Sequence, residues 1–307
     1  MPSSSSVAAI LLGLALAYYT GRLAVADCDL QVASASAELV GPKLKNRRVW
    51  ITGASSGIGK ELSKQVARHG GHLLLMDLAD LASLRVKTWE AKSILGGDVD
   101  ILINNGGISQ RAFALDTSFE ADQHIFHVDF VSATILTKTL LEGWVCRPGD
   151  RAKDPKSIVN ISSLSGKVGG PLRTAYCASK FALLGFMDAL RTEYGYGSGN
   201  HVSITNVCPG SVNTDVSSNA MSGKGTERFG AKDANILQGM QVERCCELVL
   251  LGLSNELEEV WMFGARQEQI AAYLAQYAPT LMQYVLRRTA DKQRAYAENI
   301  LSSRTKS

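Results

Sequence analysis

The stretch TAYCASKFALLGF, Thr174 to Phe186, places a phenol and an ammonium four residues apart. On an α-helix, positions i and i+4 lie one above the other, so Tyr176 and Lys180 point the same way. A free tyrosine ionises near pH 10 and rarely takes a proton from an alcohol at neutral pH. An ammonium about 5 Å away, at an effective dielectric near 20, favours the phenolate by about 3 kcal/mol. The pair therefore has the makings of a proton donor and acceptor. The same spacing also describes an amphipathic helix with a tyrosine at its buried edge and a solvated lysine. The surrounding elements decide between the two.

In RRVWITGASSGIG, an apolar strand (Val49 to Thr52) leads into a glycine turn (Gly53, Gly57, Gly59) and a helical stretch from Lys60 to His69. Glycine permits a positive φ and close backbone approach. The helix N-terminus beyond it offers free N–H groups and a positive dipole end to a phosphate. In a strand–turn–helix context this pattern predicts a loop for a dinucleotide pyrophosphate. Further apolar strands follow at His72 to Asp77, Asp100 to Gly107, Ser157 to Ser163, Val202 to Gly210 and Glu258 to Gly264. Helical patterns at Phe119 to Trp144 and Thr174 to Tyr194 alternate with them. This alternation predicts an α/β fold, a doubly wound parallel sheet covered on both faces, in one domain. Ligands in such folds sit beyond the carboxyl ends of the strands, where every motif named here falls.

TGASSGIG, NNGG, the series Ser163, Tyr176 and Lys180, and PGSVNT (Pro209 to Thr214) occur in this order. Together they resemble the short-chain dehydrogenase/reductase family. The resemblance implies a Rossmann-like domain over residues 46–264 that moves a hydride between a nicotinamide cofactor and an alcohol or ketone. It implies that Tyr176 is the general acid/base, that Lys180 is its partner and a ligand of the nicotinamide ribose, and that Ser163 holds the substrate oxygen. Cofactor contacts are expected from Gly53, Ser55, Ser56, Gly57, Ile58 and Gly59, from Asn104 and Gly106, and from Pro209, Gly210, Val212 and Thr214. Asn104 is also placed to bridge strands. NNGGISQR and AYCASKFAL, with the apolar N-terminus, are similar to family members of the endoplasmic reticulum membrane that act on steroids and retinoids. A homodimer through the two long helices is expected from the family.

Three features qualify this reading. Only 26 residues separate Asp77 from Asn104, too few for the helix, strand and helix usual there, so a splice variant or gene-model fault is one explanation. Loss of that strand leaves the next one as an exposed sheet edge. Asp129 stands where the family places an asparagine in a proton relay, and an ionised carboxylate there opposes Lys180. These departures motivate a rival expectation, a catalytically weak nucleotide-binding or scaffold protein. Asp77, at the end of the second strand, accepts hydrogen bonds from both ribose hydroxyls of NAD and repels the 2′-phosphate of NADP. NAD is therefore favoured by the residue, and NADP by analogy with similar family members.

The bulk numbers exclude other classes. The chain has 307 residues, 46% apolar, with a net charge of +3 and no basic stretch interleaved with aromatics, so nucleic acid is not an expected partner. Six cysteines show no metal-ligand spacing and no disulfide framework. Residues 1–26 contain an apolar run of thirteen residues, Val7 to Tyr19, followed by Arg22, Lys43, Lys45, Arg47 and Arg48. This charge order predicts a membrane anchor with the main body in the cytosol; an AVA at Ala24 to Ala26 would alternatively permit cleavage. Residues 27–45 read as a linker. Residues 265–307 read as two short amphipathic helices broken at Pro279, with a lid, a membrane-surface contact and plain packing as competing roles.

Overall fold

The computed structural model describes Gly21 and residues 26–76, 83–144, 155–195, 202–223, 227–231 and 234–303. Six strands form one sheet: β1 (Arg48–Thr52), β2 (His72–Met76), β3 (Ile101–Asn104), β4 (Lys156–Ile161), β5 (Val202–Pro209) and β6 (Glu259–Met262). Their order is β2-β1-β3-β4-β5-β6, and every neighbouring pair is parallel. The chain runs outward from β1 to β2, then returns to the other side of β1 for β3. The crevice at that reversal lies at the carboxyl ends of β1 and β3.

Because successive strand side chains point to opposite faces, two cores form. Val49, Ile51, Ile101, Ile103 and Val207 meet Leu62 and Val66 of α1 (Gly57–Arg68) and Leu248, Val249 and Leu253 of α6 (Val242–Ser254). On the other face, Trp50, Leu102 and Ile158 meet Leu84 and Ala91 of α2 (Leu84–Ile94), Leu136 and Leu140 of α4 (Ser132–Trp144), and Leu183 and Met187 of α5 (Thr174–Tyr194). The expected doubly wound architecture is thus present. β2 closes the sheet, and α2 is the one described helix between β2 and β3, in line with the shortened segment.

Three differences from the sequence reading have physical causes. The pattern Phe119 to Trp144 contains α3 (Phe119–Phe126), then a π-helical turn at His127–Val131, then α4. Residues 27–45 are more than a connector. Phe263 N–H donates to the Asp27 carbonyl (2.8 Å), Asp29 N–H donates to the Trp261 carbonyl (3.0 Å), and Cys28 and Val32 are buried. The segment pairs with the β6 edge through backbone groups, which leaves no periodic trace in its own sequence. At the C-terminus, α7 (Arg266–Tyr277) and α8 (Pro279–Ser303) break at Pro279 as expected, but α8 extends over 25 residues. No described helix is long and apolar enough to cross a membrane, and the run Val7 to Tyr19 lies outside the described residues.

Candidate active site

A cleft of about 760 Å³ opens where the sequence motifs converge. Its floor begins at Gly53, which leaves β1 with φ +63°, a region that costs a side-chain-bearing residue. A Cβ there would stand 2.7 Å from Gly106 Cα, so the loops after β1 and β3 touch. Thr52 Oγ1 accepts the N–H groups of Asn105 (3.0 Å) and Gly106 (2.9 Å), and Asn105 Nδ2 donates to the carbonyls of Thr52 (2.9 Å) and Gly53 (3.1 Å). Ser55, Ser56, Gly57 and Ile58 line the cleft. Ser56 is the N-cap of α1 and makes no side-chain capping bond, which leaves first-turn N–H groups for an incoming anion. Gly59 does not line the cleft; a Cβ on it would collide with the Gly53 carbonyl, so its smallness lets α1 back directly onto the loop.

Pro209, Gly210, Val212 and Thr214 also line the cleft, and the Thr214 methyl lies 3.4 Å from where a Gly57 Cβ would stand. The loop after β5 therefore reaches across to the glycine loop. Gly106 lines the cleft, whereas Asn104 does not. Asn104 is buried, with Nδ2 donating to Asn160 Oδ1 (2.9 Å) and Thr137 Oγ1 (3.2 Å). Asn160 in turn donates to Asn206 Oδ1 (3.2 Å), making an amide ladder across β3, β4 and β5. Asn104 thus bridges strands, as its position suggested, and is not a cofactor contact; Asn105 lines the cleft instead. Asp77 lies outside the described residues.

Ser163, Tyr176 and Lys180 all face this cleft. Ser163 Oγ accepts from Ser165 N–H (3.0 Å) and donates to the Pro209 carbonyl (3.4 Å). Lys180 Nζ is buried 5.6 Å from the Tyr176 ring centroid and donates to the Ile161 carbonyl (3.3 Å). Asp129, in the π-turn, brings Oδ2 to 3.7 Å from Lys180 Nζ. It also accepts from Ile108 N–H (2.7 Å) and Ser179 Oγ (3.1 Å), so one buried carboxyl faces both the ammonium and a backbone donor. Burial pushes its carboxyl above the usual carboxylate range, and the Lys180 ammonium and these donors offset only part of that. Gly107 gives this contact room: a Cβ there would sit 3.2 Å from both Lys180 Nζ and Asp129 Oδ1.

Two supporting residues were missed in the sequence. Gln110 is fully buried, and its Oε1 accepts the N–H groups of Ala175 (2.9 Å) and Tyr176 (3.4 Å). It caps α5 from a distant loop, because the N-cap residue Arg173 makes no side-chain cap. An arginine where a Ser, Thr, Asp or Asn is usual was the available signal. Gln110→Leu leaves two buried donors without acceptors and is expected to cost about 2–3 kcal/mol in urea unfolding. A loss below about 0.5 kcal/mol would show that another group replaces the amide. Glu268, in α7, accepts from Ser211 N–H (2.9 Å), Ser211 Oγ (2.5 Å) and Gly264 N–H (2.8 Å) and lines the cleft. Nothing in its local pattern marks it.

Comparison with known proteins agrees with this fold. The family model for short chain dehydrogenase matches residues 72–225. Human dehydrogenase/reductase SDR family member 7 is 32% identical, over 88% of this chain and 86% of the relative. Member 7B from Xenopus laevis is 33% identical, over 82% and 84%. Among solved structures, a short-chain dehydrogenase/reductase from Burkholderia phymatum in complex with NAD aligns with a TM-score of 0.63 at 18% identity, over 76% of this chain and 92% of that one. One from Burkholderia cenocepacia in complex with NADP aligns at 0.60 and 21% identity, over 79% and 98%. The chain belongs to the short-chain dehydrogenase/reductase family of nicotinamide-dependent oxidoreductases.

Proposed function

We propose that the chain interconverts an apolar alcohol and its ketone, of steroid or retinoid type, with Tyr176 as general acid/base. The observation that carries this is the convergence of Ser163, Tyr176 and Lys180 on one cleft bounded by the glycine loop. Val128, Val168, Val216, Met221 and Ile236 line the same cleft and support an apolar substrate body. The touching Gly53 and Gly106 backbones and the uncapped start of α1 fit a pyrophosphate, with Pro209, Gly210, Val212 and Thr214 on the nicotinamide side. The cofactor supplies or accepts the hydride. Ser163 Oγ holds the substrate oxygen, and the Tyr176 hydroxyl gives it a proton on reduction or takes one on oxidation. The Lys180 ammonium lies 5.6 Å from the Tyr176 ring centroid, on the same face of the helix. The Asp77 carboxylate supports NAD over NADP.

Incubation with NAD, NADP and a panel of steroid and retinoid alcohols and ketones tests this reading. Turnover supports the enzyme. Tight cofactor binding without turnover supports the catalytically weak binding protein, which the carboxylate beside Lys180 favours. Tighter binding of NADPH than of NADH would reject the NAD assignment.

Asp129→Asn removes a charge that opposes Lys180 whenever it forms. Turnover is expected to rise, with the alkaline-activating limb of the rate profile moving to lower pH by about one unit. An unchanged profile means that this buried carboxyl keeps its proton throughout the working range.

The reading places the chain at the endoplasmic reticulum membrane through Val7 to Tyr19, with the body in the cytosol. Exposed Phe119 and Phe181, on α3 and α5, support a homodimer through these helices. A monomer in sedimentation would reject the homodimer.

A further inference from the structure

The two C-terminal helices carry an apolar surface that the fold does not cover. Ile270 and Tyr277 of α7 are exposed at helical spacing, and Leu281, Tyr284 and Val285 are exposed on α8. The stripe then changes character along one face of α8: Leu281, Val285, Arg288 and Lys292 follow each other at intervals of four, three and four residues. The Arg288 guanidinium lies 5.2 Å from the Tyr284 ring. Between Pro279 and Ser303 four basic side chains stand against two acidic ones. Exposed aliphatics and tyrosines that pass into a basic stripe on one helix face match the interface of an anionic bilayer.

The path of the chain argues for the same occupant. The body begins where Phe263 N–H donates to the Asp27 carbonyl and Asp29 N–H donates to the Trp261 carbonyl. Trp261 packs on Tyr273 (5.4 Å between centroids), and Tyr273 stacks on Tyr277 (6.0 Å). The chain therefore enters the body beside α7. Seven residues separate the apolar run ending at Tyr19 from Asp27. Fully extended, they reach about 25 Å. A bilayer that holds the run therefore lies within that distance of Asp27, at the side of the body that carries α7.

We propose that this surface docks on the anionic lipid headgroups of a bilayer, as a second membrane contact beside the N-terminal run. Glu268 of α7 holds Ser211 and lines the cleft, so the docked helices belong to the same rigid unit as the cleft wall. The proposal rests on the membrane reading, but the two are tested separately.

Full-length protein is mixed with vesicles of phosphatidylcholine alone or with about 30% phosphatidylserine, a content chosen to give the surface potential of an anionic leaflet. Flotation with the neutral vesicles reports on the N-terminal run, and its failure there rejects the anchor alone. Hydrogen exchange reports on the helices. Amides of residues 270–292 are expected to slow about tenfold in the anionic relative to the neutral vesicles, with α2 unchanged as the internal control. The double substitution Arg288→Gln and Lys292→Gln, which leaves the cleft untouched, is expected to remove the contrast, as is high salt. Equal exchange in both vesicles overturns the proposal. So does protection that follows protein density and not lipid charge, since a second copy then covers the face.

Discussion

Tyr176→Phe is expected to lower kcat by about a thousandfold, with cofactor affinity unchanged. The substitution removes one oxygen and keeps the ring beside Lys180, so the helix and its Gln110 cap remain in place. The glycine loop that would hold the cofactor is built from Thr52, Asn105 and Gly106 and does not depend on the phenol. The lost term is proton transfer to or from the substrate oxygen, which appears only in the transition state. A fall in kcat with little change in the cofactor dissociation constant is therefore the expected signature. Steady-state kinetics and a cofactor titration on both proteins check it. A loss below tenfold would remove Tyr176 from the proton transfer.

The second large effect is on stability and lies at the opposite end of the sheet. Asp100 precedes β3 and accepts from Arg48 N–H (2.9 Å), Arg48 Nε and Nη2 (both 3.0 Å) and Lys156 Nζ (2.7 Å). One carboxylate thus ties the starts of β1, β3 and β4. Burial disfavours its charge, but these donors more than offset burial and hold the carboxyl well below the usual range. Asp100→Ala leaves the buried Lys156 without its counter-ion and is expected to cost about 3–5 kcal/mol at pH 7. A depressed folded-state value means the contribution is complete above the unfolded value near 4 and is lost as pH falls toward the folded one. The difference between wild type and variant in urea unfolding should therefore shrink on acidification. A cost below about 1 kcal/mol at pH 7 would show that the Arg48 and Lys156 charges are satisfied by solvent.

The sequence alone determined what is periodic or local. Apolar strands alternating with amphipathic helices specify a parallel sheet with helices on both faces. Gly53, Gly57 and Gly59 mark a backbone that must turn tightly before a helix. Tyr176 and Lys180 share a face because helix geometry leaves no other choice. The 26 residues between Asp77 and Asn104 foretold that, among the described residues, the sheet ends at β2.

Only the tertiary structure decided the features that depend on groups far apart in the chain. Pleat direction left Asn105, unmarked in the sequence, for the cleft. Gln110 caps a helix 65 residues away, and Glu268 fastens Ser211 from a distance of 57 residues. Residues 27–29 found their partners at the β6 edge, and a π-turn carries Asp129. In each case a single side chain or backbone edge satisfies a donor or acceptor brought to it by the fold. Such contacts repeat with no period, so a linear pattern carries no mark of them.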